Sequence, residues 1–445
     1  MAEEDISPSS SSVSTLANSR NFAGSDCEIL DENIIIAEIS EIEPTAALLR
    51  YCKRKFHRPF VAILSFVGLK PMTIDADWYS WLGHVQTFLI LTFLILGYVL
   101  QFVTGFRRDR GFVTDVPSKI GYSENDEFYV YQYKKYFETG EIVFTYIIPS
   151  VLHLSGFLAA IYVYRIADNE LLQSLIERVF ILSVNVRRLV IDFWVYKAIA
   201  LLWLGFSVAY ITFIGKEQAG IAKNHYIKLA NVTDTEGILK VILYVCLLCH
   251  DLVQVVIISS YSILCYLLRC YLNLLKEKLL LHSIEPLEWM REICEFRKHL
   301  HHLNCRIAIP VSLLTLLNLS YCFSSIIHLF RDMNTCPVKI FSMSLANIVL
   351  WMVLALVPFF QAAALTVTCR ATQSCGHLIS IRPFVHRNTA AEELNTILLY
   401  ASSLKMTAKL FRVPIISHYV CFFLLLCIIV ILTFGMCINL SVGLF

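Results

Sequence analysis

HYVCFFLLLCIIVILTFGMCINLSVGLF, residues 418–445, contains no Asp, Glu, Lys or Arg. At about 1.5 Å per helical residue it is long enough to cross a hydrocarbon core of roughly 30 Å, so it predicts a transmembrane helix. It also ends the sequence. The side of the membrane on which Phe445 lies therefore follows from the number of spans before it.

The whole chain has the composition of a polytopic membrane protein, with 57% hydrophobic and 16% charged residues. A net charge of +2 and the lack of a basic patch interleaved with aromatics argue against a nucleic-acid partner. The 15 cysteines lie mostly inside apolar segments, where a thiol behaves as a small hydrophobe. No Walker loop, dinucleotide glycine pattern or zinc-protease helix occurs, so no catalytic residues, metal or cofactor are expected and the chain does not read as an enzyme.

Residues 1–49, with a serine run at Ser9–Ser12 and acids from Asp26 to Glu43, read as a disordered cytosolic tail. Residues 50–83 form an entry segment. It begins with the basic cluster Arg50, Lys53, Arg54, Lys55 and Arg58, and continues into a half-apolar stretch, Pro59–Met72, too short to span and read as interfacial or re-entrant. Residues 84–445 form the membrane domain, with seven apolar segments at His84–Phe106, Glu141–Ile166, Val195–Gly215, Ile238–Leu268, Ile307–Phe330, Ile340–Val367 and His418–Phe445. Two charged amphipathic stretches, about 269–306 and 370–412, extend the helices past the bilayer; the leucine spacing is helical at Leu272, Leu275 and Leu279, and again at Leu394, Leu398 and Leu404, with a break near Pro383.

Basic residues set the orientation. The entry segment, the second-to-third connection (Arg165, Arg178, Arg187, Arg188, Lys197), the fourth-to-fifth and the sixth-to-seventh are all rich in Lys and Arg, whereas the fifth-to-sixth has only Arg331 and Lys339. The positive-inside tendency then places the N-terminus in the cytosol and Phe445 outside. The first-to-second loop, with Arg107, Arg108, Arg110, Lys119, Lys134 and Lys135 among a similar number of acids, is placed outside by alternation alone. The sequon Asn231-Val232-Thr233 agrees, since it puts a glycan on Asn231 in an outside connection.

Three polar residues in the fourth span, His250, Asp251 and Gln254, each cost several kcal/mol in hydrocarbon unless paired, and such residues are functional by default. Gln254 lies one turn from His250 on the same face, and the bland alternative is an interhelical hydrogen-bond network. Cys246 and Cys249 beside His250 form a haem-attachment pattern that an apolar helix cannot use; a redox pair or plain packing are the remaining readings. Trp78, Tyr79 and Trp81 precede the first span, where aromatics mark the membrane interface; Trp351 lies inside the sixth span, away from that belt. His153 and Pro149 in the second span and Gln361 in the sixth either line a cavity or hold helices.

The inverted seven-span order resembles the insect-type gustatory and odorant receptor superfamily. Locally, His57-Arg58-Pro59-Phe60 with Gly68-Leu69-Lys70-Pro71 is similar to the family's entry motif. The run Thr433-Phe434 to Asn439-Leu440 is the nearest match to its terminal signature, one residue short and with Phe, Asn and Leu in place of Tyr, Gln and Phe. The serine-rich tail and Trp78-Tyr79-Ser80-Trp81 are most similar to the nematode branch that senses light and hydrogen peroxide. The resemblance implies a homotetrameric cation channel of the plasma membrane of sensory neurons, with the seventh helix lining the pore and the extensions packing as an anchor. It places the gate at Asn439 and Leu440, with Thr433 and Phe434 on the pore helix, and makes Tyr79 and Trp351 stimulus-sensing positions. The stimulus is then a small molecule, a reactive oxygen species or light. A sugar-type taste channel, a G-protein-coupled chemosensory receptor and a transporter are the competing readings.

Overall fold

The computed structural model describes residues 44–71, 77–108, 111–112, 142–167, 171–183, 185–217, 236–281, 283–331, 338–375, 391–416 and 418. The chain divides into two units, Met1–Arg50 and Tyr51–Phe445, and the membrane bundle belongs to the second. Among the described residues the protein is an all-α, multi-span membrane protein with six helices long and apolar enough to cross a bilayer. The seventh apolar segment, 419–445, lies outside the described residues apart from His418, as do Asn231, Thr433, Phe434, Asn439 and Leu440.

Helix α1 (Pro44–Cys52) continues through a π turn (Lys53–His57) into α2 (Arg58–Phe66). The entry segment is buried rather than surface-bound: Phe56, Phe60, Leu64, Val67 and Leu69 point into the main core while Lys53, Arg54, Lys55 and Arg58 face out. Gly68, at φ 75°, ends it with a left-handed turn. Thr87 then donates to the Gly68 carbonyl at 2.7 Å and Gln86 to that of Phe66 at 2.8 Å, tying the entry to the first span.

That span, α3 (Asp77–Thr104), leads into a short hairpin, β1 (Phe106–Arg107) with β2 (Gly111–Phe112). A π turn (Val143–Ile147) opens α4 (Ile148–Ile161), whose continuation carries Arg165 back to the start of α3, where it donates to the Gly83 carbonyl at 2.9 Å. Helix α5 (Leu171–Leu182) precedes α6 (Val186–Glu217). The third span thus begins nine residues before Val195, and this corrects the place of Lys197. Lys197 is not a connection charge but a buried side chain, its Nζ 5.5 Å and 5.9 Å from the rings of Phe60 and Phe193 and 3.4 Å from Ser259 Oγ.

Helix α7 (Glu236–Leu280) is the centre of the bundle and packs on α3, α5, α6 and three later helices. Its 45 residues span roughly 68 Å, more than twice a hydrocarbon core, so it extends well past the bilayer as its sequence predicts. Leu272, Leu275 and Leu279 are buried along that extension. Pro286 restarts the chain as α8 (Pro286–His302), where a missing N–H costs nothing at the first turn. Trp289, Ile293, Phe296 and Leu300 form its buried stripe, and a π turn (Leu303–Ile307) passes it into α9 (Ala308–Arg331). Helix α10 (Val338–Gln373) packs along α9 and α7, and α11 (Ala391–Ser403) packs on α8 and α10.

The spacing of Leu394, Leu398 and Leu404 predicts helix up to the last span, and here the structure differs. Helix α11 stops at Ser403, and the chain forms a second hairpin, β3 (Lys409–Leu410) with β4 (Val413–Pro414). The reason is a set of side-chain partners for its backbone. Asn304 donates to the Thr407 carbonyl at 2.9 Å and accepts from the Lys409 N–H at 2.7 Å; Thr366 and Ser312 accept from the Ala408 and Phe411 N–H groups, each at 3.1 Å. The turn puts Phe411 and Arg412 at φ 55° and 62°, a left-handed pair that bulky residues adopt only when surroundings impose it.

Candidate functional site

Each hairpin marks one end of the bundle. At the β1 end Gly105, at φ 66°, turns the chain off α3 and sends the next three residues back among the helices. Arg107 and Arg108 are each only 6% exposed. They are not loop charges, which removes two of the six basic residues counted in that connection.

Arg108 pairs with Asp251 of α7 through a close contact of its Nη2 with Oδ2. Ser207 of α6 ties the two together: its hydroxyl donates to the same carboxylate oxygen and accepts from the Arg108 guanidinium at 3.2 Å. Breaking one partner of such a pair strands a charge away from water, at about 3–5 kcal/mol. The guanidinium also lies 5.4 Å from the Trp351 ring centroid, so the aromatic face shares its charge.

Trp351 joins this group to an aromatic stack. It is fully enclosed, with Tyr321 of α9 at 5.0 Å and Trp203 of α6 at 5.9 Å between ring centroids, and the Trp203 indole donates to the Leu350 carbonyl at 3.0 Å. Beside Asp251, His250 faces α3 and donates through Nε2 to the Leu94 carbonyl at 3.0 Å. A Cβ on Gly97 would stand 2.5 Å from that nitrogen, so the glycine in mid-helix makes room for the imidazole. The Tyr98 ring packs at 4.4 Å on His250, and its hydroxyl meets His153 Nδ1 at 3.0 Å. Six helices thus bring one ion pair, two histidines, two tryptophans and two tyrosines into a single cluster.

The cluster holds polar atoms without hydrogen-bond partners: Asp251 Oδ1, Arg108 Nη1, His153 Nε2 and Trp351 Nε1. About one turn further into the bundle Gln254 leaves Oε1 unpaired, and Asn318, fully buried on α9, leaves both side-chain atoms unpaired. Native interiors rarely leave such atoms bare, and water or a ligand ordinarily fills the role.

Of the residues expected from sequence, His250, Asp251, Gln254 and Trp351 belong to this region. Trp81 does not. It is 70% exposed near the start of α3, and the rest of that helix, roughly 35 Å, separates it from Arg108. Trp78 and Tyr79 lie in the same first turn, with side chains outside the described residues. Cys246 is buried and Cys249 half-buried, both as free thiols. His153 binds Tyr98, and Gln361 donates to Tyr196 at 3.3 Å on a different part of α10. Arg108, Ser207, Trp203, Tyr98, Tyr321 and Gly97 were missed. Only Arg108 left a trace in the sequence, as one of the misplaced positive charges. No protein-family model matches the chain, and no curated protein matches it.

Proposed function

We propose that this membrane protein is a sensory receptor of the plasma membrane that acts as a tetrameric, non-selective cation channel. Its stimulus is a small molecule, hydrogen peroxide or light, received at the Arg108–Asp251–Trp351 cluster. The observation that carries this reading is a buried ion pair joined to stacked tryptophans and surrounded by unpaired polar atoms. Such a site is costly to maintain for packing alone, offers hydrogen bonds to a guest, and touches six helices whose arrangement the guest would bias. The same stack absorbs ultraviolet light beside a charge. The N-terminus is cytosolic and residues 418–445 line the pore, with Asn439 and Leu440 at the gate.

The chain, purified and reconstituted alone in a lipid bilayer, should pass unitary cation currents evoked by one of peroxide, ultraviolet light or sugar. Asp251→Asn should reduce the evoked current at least about tenfold while protein still reaches the membrane. Absence of unitary steps under all three stimuli would overturn the channel, and a C-terminal epitope accessible only after permeabilisation would overturn the orientation.

A further inference from the structure

The entry segment and the third span together present a charged outer surface that the buried cluster does not use. Phe56 packs on Phe193 at 4.4 Å between ring centroids, and four residues on, Phe60 lies 5.5 Å from the ammonium of Lys197. A step of one turn on the entry segment is therefore matched by a step of one turn on α6, so the two helices lie side by side and run in the same direction. Lys53, Arg54, Lys55 and Arg58 on the first, and Arg187 and Arg188 in the opening turn of the second, are all exposed. Among the described residues none of these six cations is in an ion pair. Two acids lie beside them and both are engaged: Asp192 accepts from the Tyr266 hydroxyl, and Glu177 from Gln173 at 2.7 Å. The face keeps a net positive charge.

The apolar surface independently marks the level at which this face lies. On the entry segment the outward positions recur every fourth residue as Arg54, Arg58, Ala62 and Phe66, charged first and then apolar, with Phe66 61% exposed. On α6 the outward side chains pass from Arg187 and Arg188 to Ile191 and Trp194, 60% and 50% exposed, and then to Val195 and Ile199. Two parallel helices thus change from cation to bare hydrocarbon in the same direction. An exposed tryptophan stands at the change, where a membrane–water boundary favours one. Lipid tails cover the surface beyond that boundary, and headgroups meet the surface at it.

We propose that this face binds the headgroups of anionic phospholipids. Their phosphate and carboxylate oxygens accept hydrogen bonds from the guanidiniums and ammoniums, and the long apolar stems let Arg58 lie along the helix while its charge reaches the headgroup level. A zwitterionic headgroup carries its own cation, so net charge separates the two lipid classes. Because the cations come from two elements, a lipid that touches both also stabilises the packing of the entry segment on α6. The inference requires the membrane bundle and does not rest on the proposed channel.

The full chain in detergent, mixed with equal amounts of phosphatidylserine and phosphatidylcholine, should retain phosphatidylserine at least about tenfold more in native mass spectra, and added salt should erase much of that preference. Arg187→Gln with Arg188→Gln should cut the retention of phosphatidylserine at least about fivefold, and Arg187→Lys with Arg188→Lys should keep it. Arg291→Gln with Arg297→Gln on α8 removes the same charge elsewhere and should leave retention unchanged. Equal retention of the two lipids by the native chain, or an equal loss in the α8 variant, would overturn the proposal. Displacement of the lipid by inorganic phosphate at the same concentration would make the face a site for free anions and would overturn it too. Finally, if Lys53→Gln, Arg54→Gln and Lys55→Gln together lower the unfolding midpoint while lipid retention stays at the native level, an acidic segment of the chain itself covers the face and the lipid is excluded.

Discussion

The two ends of the bundle treat charge and strain in opposite ways. At the β1 end the left-handed backbone positions are glycines, Gly105 and Gly111, and the turn is relaxed; the cost lies in the side chains, which carry a charge into the apolar interior and require Asp251 to meet it. At the second hairpin the charges of Lys409 and Arg412 stay at the surface and the cost lies in the backbone, where Phe411 and Arg412 adopt left-handed angles. Side chains of α8, α9 and α10 hold that backbone in place. A paired buried charge is bistable in a way a solvated one is not, because losing its partner changes the energy by several kcal/mol.

The largest test of this contrast is the ion pair. Asp251→Ala should destabilise the purified protein by about 3–5 kcal/mol, read as a large drop in the unfolding midpoint, because Arg108 is left buried and unpaired. Removing both partners, with Arg108→Met and Asp251→Leu together, should recover most of that loss in a double-mutant cycle. Equal losses that simply add would show that the two side chains do not depend on each other. Lys298 and Glu295, paired at 2.7 Å with the lysine well exposed, provide the matching control at the other end, where Glu295→Ala should cost about 1 kcal/mol or less.

Gly97 extends the test to the histidine side of the same cluster. Gly97→Ala would normally favour a helix, yet here the new methyl meets His250 Nε2 at 2.5 Å and displaces the ring from the Leu94 carbonyl. A loss of about 1–3 kcal/mol is expected, and His250→Ala in the same chain should relieve it. A more stable Gly97→Ala protein would mean that the imidazole has other room.

The hairpins should respond to reciprocal substitutions with opposite signs. Gly105→Ala forces a side chain into a left-handed angle and should cost about 1–2 kcal/mol. Arg412→Gly releases a similar strain and loses part of it to the greater freedom of glycine in the unfolded chain, so a small rise in the midpoint is expected. Destabilisation by Arg412→Gly would place the arginine side chain, rather than the backbone, in the function of that turn.

Much of the membrane architecture was legible because apolar runs and their lengths are properties of single segments. Asp251 was legible for the same reason: a carboxylate in the middle of an apolar helix is conspicuous wherever its partner lies. The partner was not. Arg108 stands 143 positions earlier in a loop rich in both signs of charge, and only the turn at Gly105 carries it inward. Tyr98, Trp203 and Tyr321 look like any aromatic in a span until six helices meet. The second hairpin was misread as helix because its leucines keep a helical spacing while its backbone is satisfied from outside the segment, by Asn304, Ser312 and Thr366.

The smallest effect lies in the entry segment at the β3 end, at a titratable group outside the spans. Burial holds the His57 imidazole below its usual pKa of 6.5, the nearby ammoniums of Lys70 and Lys53 lower it further, and Glu177 opposes them. The unfolded chain therefore binds a proton near pH 6.5 while the folded chain still refuses it. Across the window from 6.5 down to the folded value the unfolded state holds more protons, so stability falls as the pH falls and levels off below it. His57→Gln removes that difference and should flatten this part of the curve of unfolding midpoint against pH. An unchanged slope in the variant would assign the acid sensitivity to another group, and a slope of the opposite sign in the native chain would mean that Glu177 outweighs burial at His57.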